Sequence, residues 1–202
     1  MSFEITAISG KEIQDSRNNP TLEVTVYVGE ESATFQVPSG ASTGAHEALE
    51  LRDNETSHGG MQKALHQLDT IISPALIGKD VTQQGEIDTL LLSLDGTQNK
   101  TNLGGNTMLG VSIACAKLGA KVTNKEVYEY VRALRTISSS RPFPHLYANL
   151  INGGKHAHNE LAFQEYHAIL QGKDFTESLM MLDQVQQELG ALVKEKYGDN
   201  TK

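Results

Sequence analysis

The feature that most limits what this chain can fold into is the block 138-SSSRPFP-144, three serines and two prolines set between stretches of regular apolar patterning. Such a run has fixed φ angles and free hydroxyls but no periodic apolar face, so it reads as a linker. It cuts the chain unequally. Residues 1–137 suffice for a domain with its own core, whereas 138–202 hold only 65 residues of the 202.

The patterning differs on the two sides. Phe3, Ile5, Ala7 and Ile13 predict a strand over 3–13, closed by the turn-rich 15-DSRNNP-20. The run 21-TLEVTVYV-28 places Leu22, Val24, Val26 and Val28 on one face, and 29-GEES-32 leads into 33-ATFQVP-38. Residues 21–38 should therefore form an antiparallel hairpin. Helical periodicity follows near 45–52, 60–76, 82–93, 105–122 and 126–137. Within 105–122, Ile113, Ala116, Leu118 and Ala120 belong to a small-residue helix able to pack closely. Beyond the linker, 146-LYANLI-151 and 161-LAFQEYHAIL-170 read as strands. Residues 174–197 read as one amphipathic helix with Leu179, Leu182, Val185, Leu189, Leu192 and Val193 along its stripe. The expectation is an α+β domain over 1–137, a three-stranded antiparallel meander plus helices. Two strands and one helix then follow over 138–202, too little to cover their own apolar surface and so the opening of something larger.

Bulk properties narrow the function. The net charge of −8 and pI near 5.3 disfavour general nucleic-acid binding, which needs a basic face. The one cysteine, Cys115, lies in an apolar helical run, fits a reducing cytoplasm and reads as a small buried hydrophobe. No basic segment followed by an apolar stretch opens the chain, so no secretion signal is expected, and no apolar run approaches the ~18 residues of a membrane span.

Three polar stretches remain. In 38-PSGASTG-44, Gly40 and Gly44 allow unusual backbone angles and Ser39, Ser42 and Thr43 supply hydroxyls. It reads either as a strand-to-helix connection capped by Ser42 or Thr43, or as a mobile lid bringing one hydroxyl to a metal. A phosphate-binding P-loop is excluded, because Ala45 stands where the pattern needs lysine. The run 46-HEALE-50 lacks the second histidine of a zinc helix and reads as a solvated helix face. The densest cluster is 152-NGGKHAHNELAFQE-165. His156 and His158 share a face if extended, but no third zinc ligand stands at a recognisable spacing. Gln164 and Glu165 interrupt an otherwise apolar strand, and a carboxylate on a buried strand costs several kcal/mol unless paired. Barrel strands carry such groups at their C-terminal ends. An edge strand with one solvated face is the plainer alternative.

Taken jointly and in order, 15-DSRNNPT-21, 38-PSGASTGAHEALELRD-53, 94-LDGTQNK-100, 103-LGGN-106, 149-NLINGGKHA-157 and 164-QE-165 resemble the enolase (phosphopyruvate hydratase) family across essentially the whole chain. The resemblance implies an α+β cap domain over 1–137, then linker and first elements of an enolase-type α/β (TIM-like) barrel over 138–202. It implies a cytoplasmic lyase of glycolysis and gluconeogenesis: magnesium-dependent, reversible dehydration of 2-phosphoglycerate to phosphoenolpyruvate. Two Mg²⁺ ions and a lysine base meet the cost of a dianionic enolate. Ser42 is implied to ligate the second Mg²⁺ from a closing loop, with Ala41 beside it at the substrate. His156 is implied at the phosphate and hydroxyl end as a catalytic and binding residue. Gln164 and Glu165 are implied to line the pocket, Glu165 helping hydroxide to leave. Arg17 takes no catalytic role.

The sequence departs from the family at Asn18, where glycine is usual, at 103-LGGNT-107, and at His167, a position more often apolar. The base lysine, the acid glutamate and the principal metal carboxylates lie beyond these residues in the family pattern. The chain alone is therefore expected to be inactive, a partial enolase whose complete form is a homodimer. Half of a split enzyme and a non-catalytic interaction module are the alternatives. Residues 1–137 should hold a stable fold, and 145–202 should exchange amide hydrogens quickly.

Overall fold

In a computed structural model, residues 3–40, 44–54, 59–135, 144–157 and 159–198 are described. The chain divides into two compact units, Met1–Ser138 and Ser139–Lys202.

The first unit is the meander with helices. Strands β1 (Ala7–Gln14), β2 (Pro20–Val28) and β3 (Glu31–Gln36) lie in that order, antiparallel. Ala7 pairs with Tyr27 at one end of the first ladder, and Val28 with Glu31 beside the hairpin turn. Alternation decides which face is inside: Leu22, Val24 and Val26 are fully buried. Between β1 and β2, the Asp15 carboxylate accepts hydrogen bonds from the Arg17 and Asn19 amides at 2.8 Å each. The Asn19 amide leads the interactions that hold that carboxyl below its ordinary value. Asn18 sits at φ 61°, a left-handed conformation that asparagine tolerates, so the turn forms without glycine.

Strand β1 begins later than the alternation suggested. Residues 3–5 instead bond to the segment near 80, with the Ile5 amide on the Lys79 carbonyl at 2.8 Å and the Val81 amide on the Phe3 carbonyl at 2.9 Å. The helical run near 60–76 is real but composite. Helix α1 (Gln62–Gln67) passes through one wide π-helical turn (Leu68–Ile72) into α2 (Ser73–Leu76). Pro74 lacks an amide hydrogen and would crowd the carbonyl four residues earlier, which a wider turn relieves. Carboxylates distant in sequence close the start of α1. Glu12 accepts from the Met61 amide at 2.7 Å, and Asp53 from the Lys63 amide at 2.8 Å.

Helix α3 (Gln84–Asp95), α4 (Gly105–Val122) and α5 (Val127–Ala133) complete this unit. Helix α4 lies on β2 and β3. Met108, Val111, Cys115 and Leu118, at helical spacing, form its buried stripe, while Ile113 and Ala116 are half-buried. Gly110 allows the close approach, since a Cβ there would stand 2.7 Å from Val24 Cγ2. Cys115 is buried as the sequence suggested, and burial, aided by the charge of Asp88, pushes its thiol up to about 12. Lys117 and Lys121 reach from α4 to the outer edge of β3, donating to the Thr34 carbonyl at 2.5 Å and the Ser32 carbonyl at 3.2 Å.

The helix expected over 45–52 does not form. Its backbone groups are claimed from elsewhere: the Leu49 amide donates to the Asn99 carbonyl at 2.8 Å and the Leu49 carbonyl accepts from Gly105 at 2.7 Å. Asn106 takes both groups of Leu51, accepting from its amide at 2.9 Å and donating to its carbonyl at 3.1 Å. The solvated-helix reading of 46–50 falls with it, although His46, Glu47 and Ala48 are exposed.

The second unit holds β4 (Leu146–Asn152), β5 (Glu165–Leu170) and α6 (Phe175–Tyr197). The two strands pair antiparallel and α6 packs against both, so among the described residues the barrel is begun and not closed. Asp174 caps α6 by accepting from the Glu177 amide at 2.8 Å. Of the expected stripe, Leu182, Leu189 and Val193 are half-buried, while Leu179, Val185 and Leu192 remain exposed. No helix among the described residues is long and apolar enough to cross a membrane.

Candidate functional site

Ala41, Ser42 and Thr43 lie outside the described residues, as does His158. The geometry at the entry to their loop is defined within the first unit. The Ser39 carbonyl accepts from Arg17 Nη2 at 2.7 Å, and Ser39 Oγ donates to Glu50 Oε1 at 3.2 Å. Arg52 Nη2 and Nε donate to Glu50 Oε2 at 2.7 and 3.0 Å, with the Arg52 side chain largely buried. One end of the PSGASTG loop is thus tied to the Asp15–Arg17 turn and to an arginine–glutamate fork. Arg17 acts here as an anchor.

In the second unit the pattern Asn-Gly-Gly fixes a turn that brings distant residues together. Gly153 donates to the Gln164 carbonyl at 3.0 Å and Gly154 to the Leu161 carbonyl at 2.8 Å. Gly154 holds φ 55°, and a Cβ on Gly153 would stand 2.4 Å from the Phe163 carbonyl oxygen, so neither position accepts a side chain unchanged. The chain then makes a short 3-10 turn (Gly154–His156) that delivers His156 to the start of β5. Its Nδ1 lies 3.3 Å from Glu165 Oε1. His167 Nε2 lies 3.0 Å from the other oxygen, Oε2. Gln164 precedes the strand, its Cγ close against Gly154. The structure therefore gathers His156, Gln164 and Glu165.

Two expectations about Glu165 change. The carboxylate is not on a buried strand: its side chain is 43% exposed, because two strands and one helix cannot cover both faces of this sheet. Nor does it sit at the C-terminal end of its strand. Glu165 is the first residue of β5, paired with Asn152, the last of β4. An antiparallel second strand puts its beginning beside the end of the first, so the rule for parallel barrel strands does not carry over to β5. The strand expected to start at 161 begins only at Glu165, since 161–164 serve the turn.

One neighbour of Glu165 was not singled out from sequence as a site residue. His167 stands two residues along a strand, so both side chains share a face, the same logic applied to His156 and His158. The ladder slips by one residue between Asn149 and Ile151, which pairs Asn149 with His167 and Asn152 with Glu165. Asn149 and Asn152 thereby join that face, and their amides bond to each other.

A carboxylate flanked by two imidazoles can accept two hydrogen bonds, hold position and exchange protons with its donors. Magnesium is a different matter, as it prefers several hard oxygen ligands in octahedral order. Among the described residues no group of three histidine, cysteine or acidic side chains could hold a metal ion. Glu165 has two imidazole nitrogens beside its one carboxylate. These residues alone do not make a magnesium site.

Comparison with known proteins gives a consistent answer over both units. The family model "Enolase, N-terminal domain" matches residues 5–131, and "Enolase, C-terminal TIM barrel domain" matches 140–202. The chain is 47% identical over 201 residues to the enolase of Thermococcus gammatolerans and 48% identical to that of Thermococcus kodakarensis, covering 98% of this chain in each case. The enolase of Pyrococcus furiosus is 45% identical over the same length. The chain spans about half, 46%, of the length of each of these relatives.

Proposed function

Because the chain belongs to the enolase family, we propose that it supplies the cap domain, residues 1–137, and the first barrel elements, residues 138–202, of a cytoplasmic, homodimeric phosphopyruvate hydratase. The reaction is the reversible dehydration of 2-phosphoglycerate to phosphoenolpyruvate. A proton leaves the carbon beside the carboxylate, and hydroxide then departs from the next carbon as water. The observation that carries this reading for the chain's own residues is the His156–Glu165 contact, 3.3 Å, at the open end of the β4–β5 pair.

In this proposal Glu165 faces the leaving hydroxyl. A carboxylate that takes up a proton from its imidazole neighbours can pass it to departing hydroxide, a role worth ~10²–10⁴ in rate. With Nδ1 engaged by Glu165, His156 keeps Nε2 for the substrate's phosphate and hydroxyl end. Gln164 lines the pocket beside the Gly153–Gly154 turn. By the family resemblance Ala41 is a substrate-binding residue and Ser42 is the chain's ligand to the second of two Mg²⁺ ions. In the family pattern the remaining metal ligands, the base lysine and the acid glutamate come from the part of the barrel beyond these elements.

The test is phosphoenolpyruvate formation from 2-phosphoglycerate with excess Mg²⁺, first with this chain alone. No product is expected. Adding a separately made remainder of the barrel should then restore turnover, and Glu165→Gln should cut it by ~10²–10⁴. Turnover by the chain alone, abolished by Ser42→Ala or Glu165→Gln, would overturn the requirement for the rest of the barrel. No turnover even in the complete protein would favour a binding module.

A further inference from the structure

We infer that His167 is a positioning residue for Glu165, fixing the direction in which that carboxylate faces the reacting group. This inference rests on the proposed enolase reaction for its consequence in rate, and on geometry alone for the coupling it asserts.

A glutamate at the start of a strand has three rotatable bonds and, at 43% exposure, nothing in its surroundings that restricts them fully. The His156 contact on Oε1, at 3.3 Å, by itself leaves the carboxyl plane free to rotate about it. A second donor on Oε2 removes this freedom. His167 supplies it through Nε2 at 3.0 Å, in the tautomer that carries its hydrogen on that nitrogen. The two histidines reach the group from different directions, one from the 3-10 turn Gly154–His156, the other from within β5. Their contact is through Glu165, each holding a separate oxygen.

His167 is itself held on the correct face by the backbone. The ladder slip between Asn149 and Ile151 sets Asn149 directly across from His167. Without the slip, Asn149 and Asn152, three residues apart, would lie on opposite faces of the strand. With it, Asn149, Asn152, Glu165 and His167 form one polar wall, with the other face bearing Tyr166, Ala168 and the buried Leu170. A merely solvated histidine on this strand would need no contact to Oε2.

The experiment has two arms. In the complete enzyme, His167→Ala should lower kcat by ~10–10²-fold, the scale on which small misplacements of catalytic groups act, with KM within ~2-fold. His167→Gln, whose amide can still donate toward Oε2, should recover most of that loss. In the 202-residue chain labelled with ¹⁵N-histidine at fixed pH, His167→Ala should move the His156 imidazole resonances, Glu165→Gln should move those of both His156 and His167, and His167→Gln should leave His156 nearly unchanged. Unmoved His156 resonances in His167→Ala, with the rest of the spectrum retained, would overturn the inference. So would equal losses for His167→Ala and His167→Gln. Absence of dehydration in the wild-type enzyme alongside moved His156 resonances would sink the functional reading and leave the coupling standing.

Discussion

Asp95 in the first unit and Glu165 in the second are both carboxylates with polar groups against each oxygen, yet those groups differ in kind. Asp95 is only 2% exposed. It accepts from the amides of Leu103 at 2.8 Å, Thr97 at 3.0 Å and Asn102 at 3.1 Å, and from the Thr97 hydroxyl. None of these donors titrates near neutral pH, and all come from the loop that Asp95 folds around itself. Glu165 is met by two imidazoles, the side chains that most readily gain and lose protons near neutrality. A carboxylate closed off by amides organises a backbone. One flanked by imidazoles and open to solvent can take part in chemistry.

The same division runs through the two units. The first contains nearly all of the fully buried side chains, from Ile5 to Leu118. In the second, Leu170 is the buried hydrophobic residue among those described, and Tyr147, Phe163, Met180 and Leu192 are more than half exposed. The largest expected effect follows. Amide exchange in β2 and α4 should be slower than in β5 and α6 by ~10³-fold or more, since core amides open only with the ~5 kcal/mol or more of global unfolding. Uniform protection, read by mass spectrometry of exchanged peptides, would break the comparison.

Substitutions sharpen it. Leu118→Ala, at a fully buried site, should cost ~2–5 kcal/mol in urea denaturation, whereas Leu192→Ala, at 61% exposure, should stay within ~0.5 kcal/mol. Asp95→Asn comes next, at ~1.5–3 kcal/mol near neutral pH, for hydrogen bonds to a charged group. Burial pulls the Asp95 carboxyl upward, but the Thr97 hydroxyl and the three amides outweigh it and hold the group below its ordinary 3.8. Its folded value is thus lower than its unfolded one, so the stabilisation is present above the unfolded value and is lost as pH falls through the folded value. The gap between Asp95→Asn and wild type should be widest above ~pH 5 and narrow below ~pH 4, measured as the urea midpoint against pH. The smallest effect is at the turn. Asn18→Gly should change stability by only a few tenths of a kcal/mol, because asparagine already accommodates φ 61°, whereas Asn18→Ala should lose ~1 kcal/mol.

What could be read from the sequence was what depends on neighbours in the chain. Valines alternating over 21–28 gave the hairpin and its buried face, and apolar spacing over 105–122 gave α4 with its ends intact. The missing helix at 45–52 shows the opposite case. Its periodicity was genuine, but Asn99, Gly105 and Asn106, about fifty residues away, take its amides and carbonyls, and no local pattern announces that. The ladder slip near Leu150 was illegible for a similar reason, as neither glycine nor proline marks it. His156, Gln164 and Glu165 stood out as a polar cluster interrupting an apolar run, their roles being implied only by the family resemblance, whereas the Glu165–His167 pair could have been found by counting two along a strand.

The lysines on α4 carry a consequence for the protein's life among other chains. Among the described residues β3 is an outer strand of the sheet, and an outer strand presents a row of acceptors to which any extended peptide can add itself. Lys117 and Lys121 already occupy the Thr34 and Ser32 carbonyls, and Lys121 also pairs with Glu31 at 2.7 Å. An intruding strand would have to displace two ammonium groups, strip their water and leave Glu31 without its cation. The sheet thus resists self-association at high concentration through two side chains of a neighbouring helix, and that resistance would fall in a Lys117→Ala, Lys121→Ala double variant.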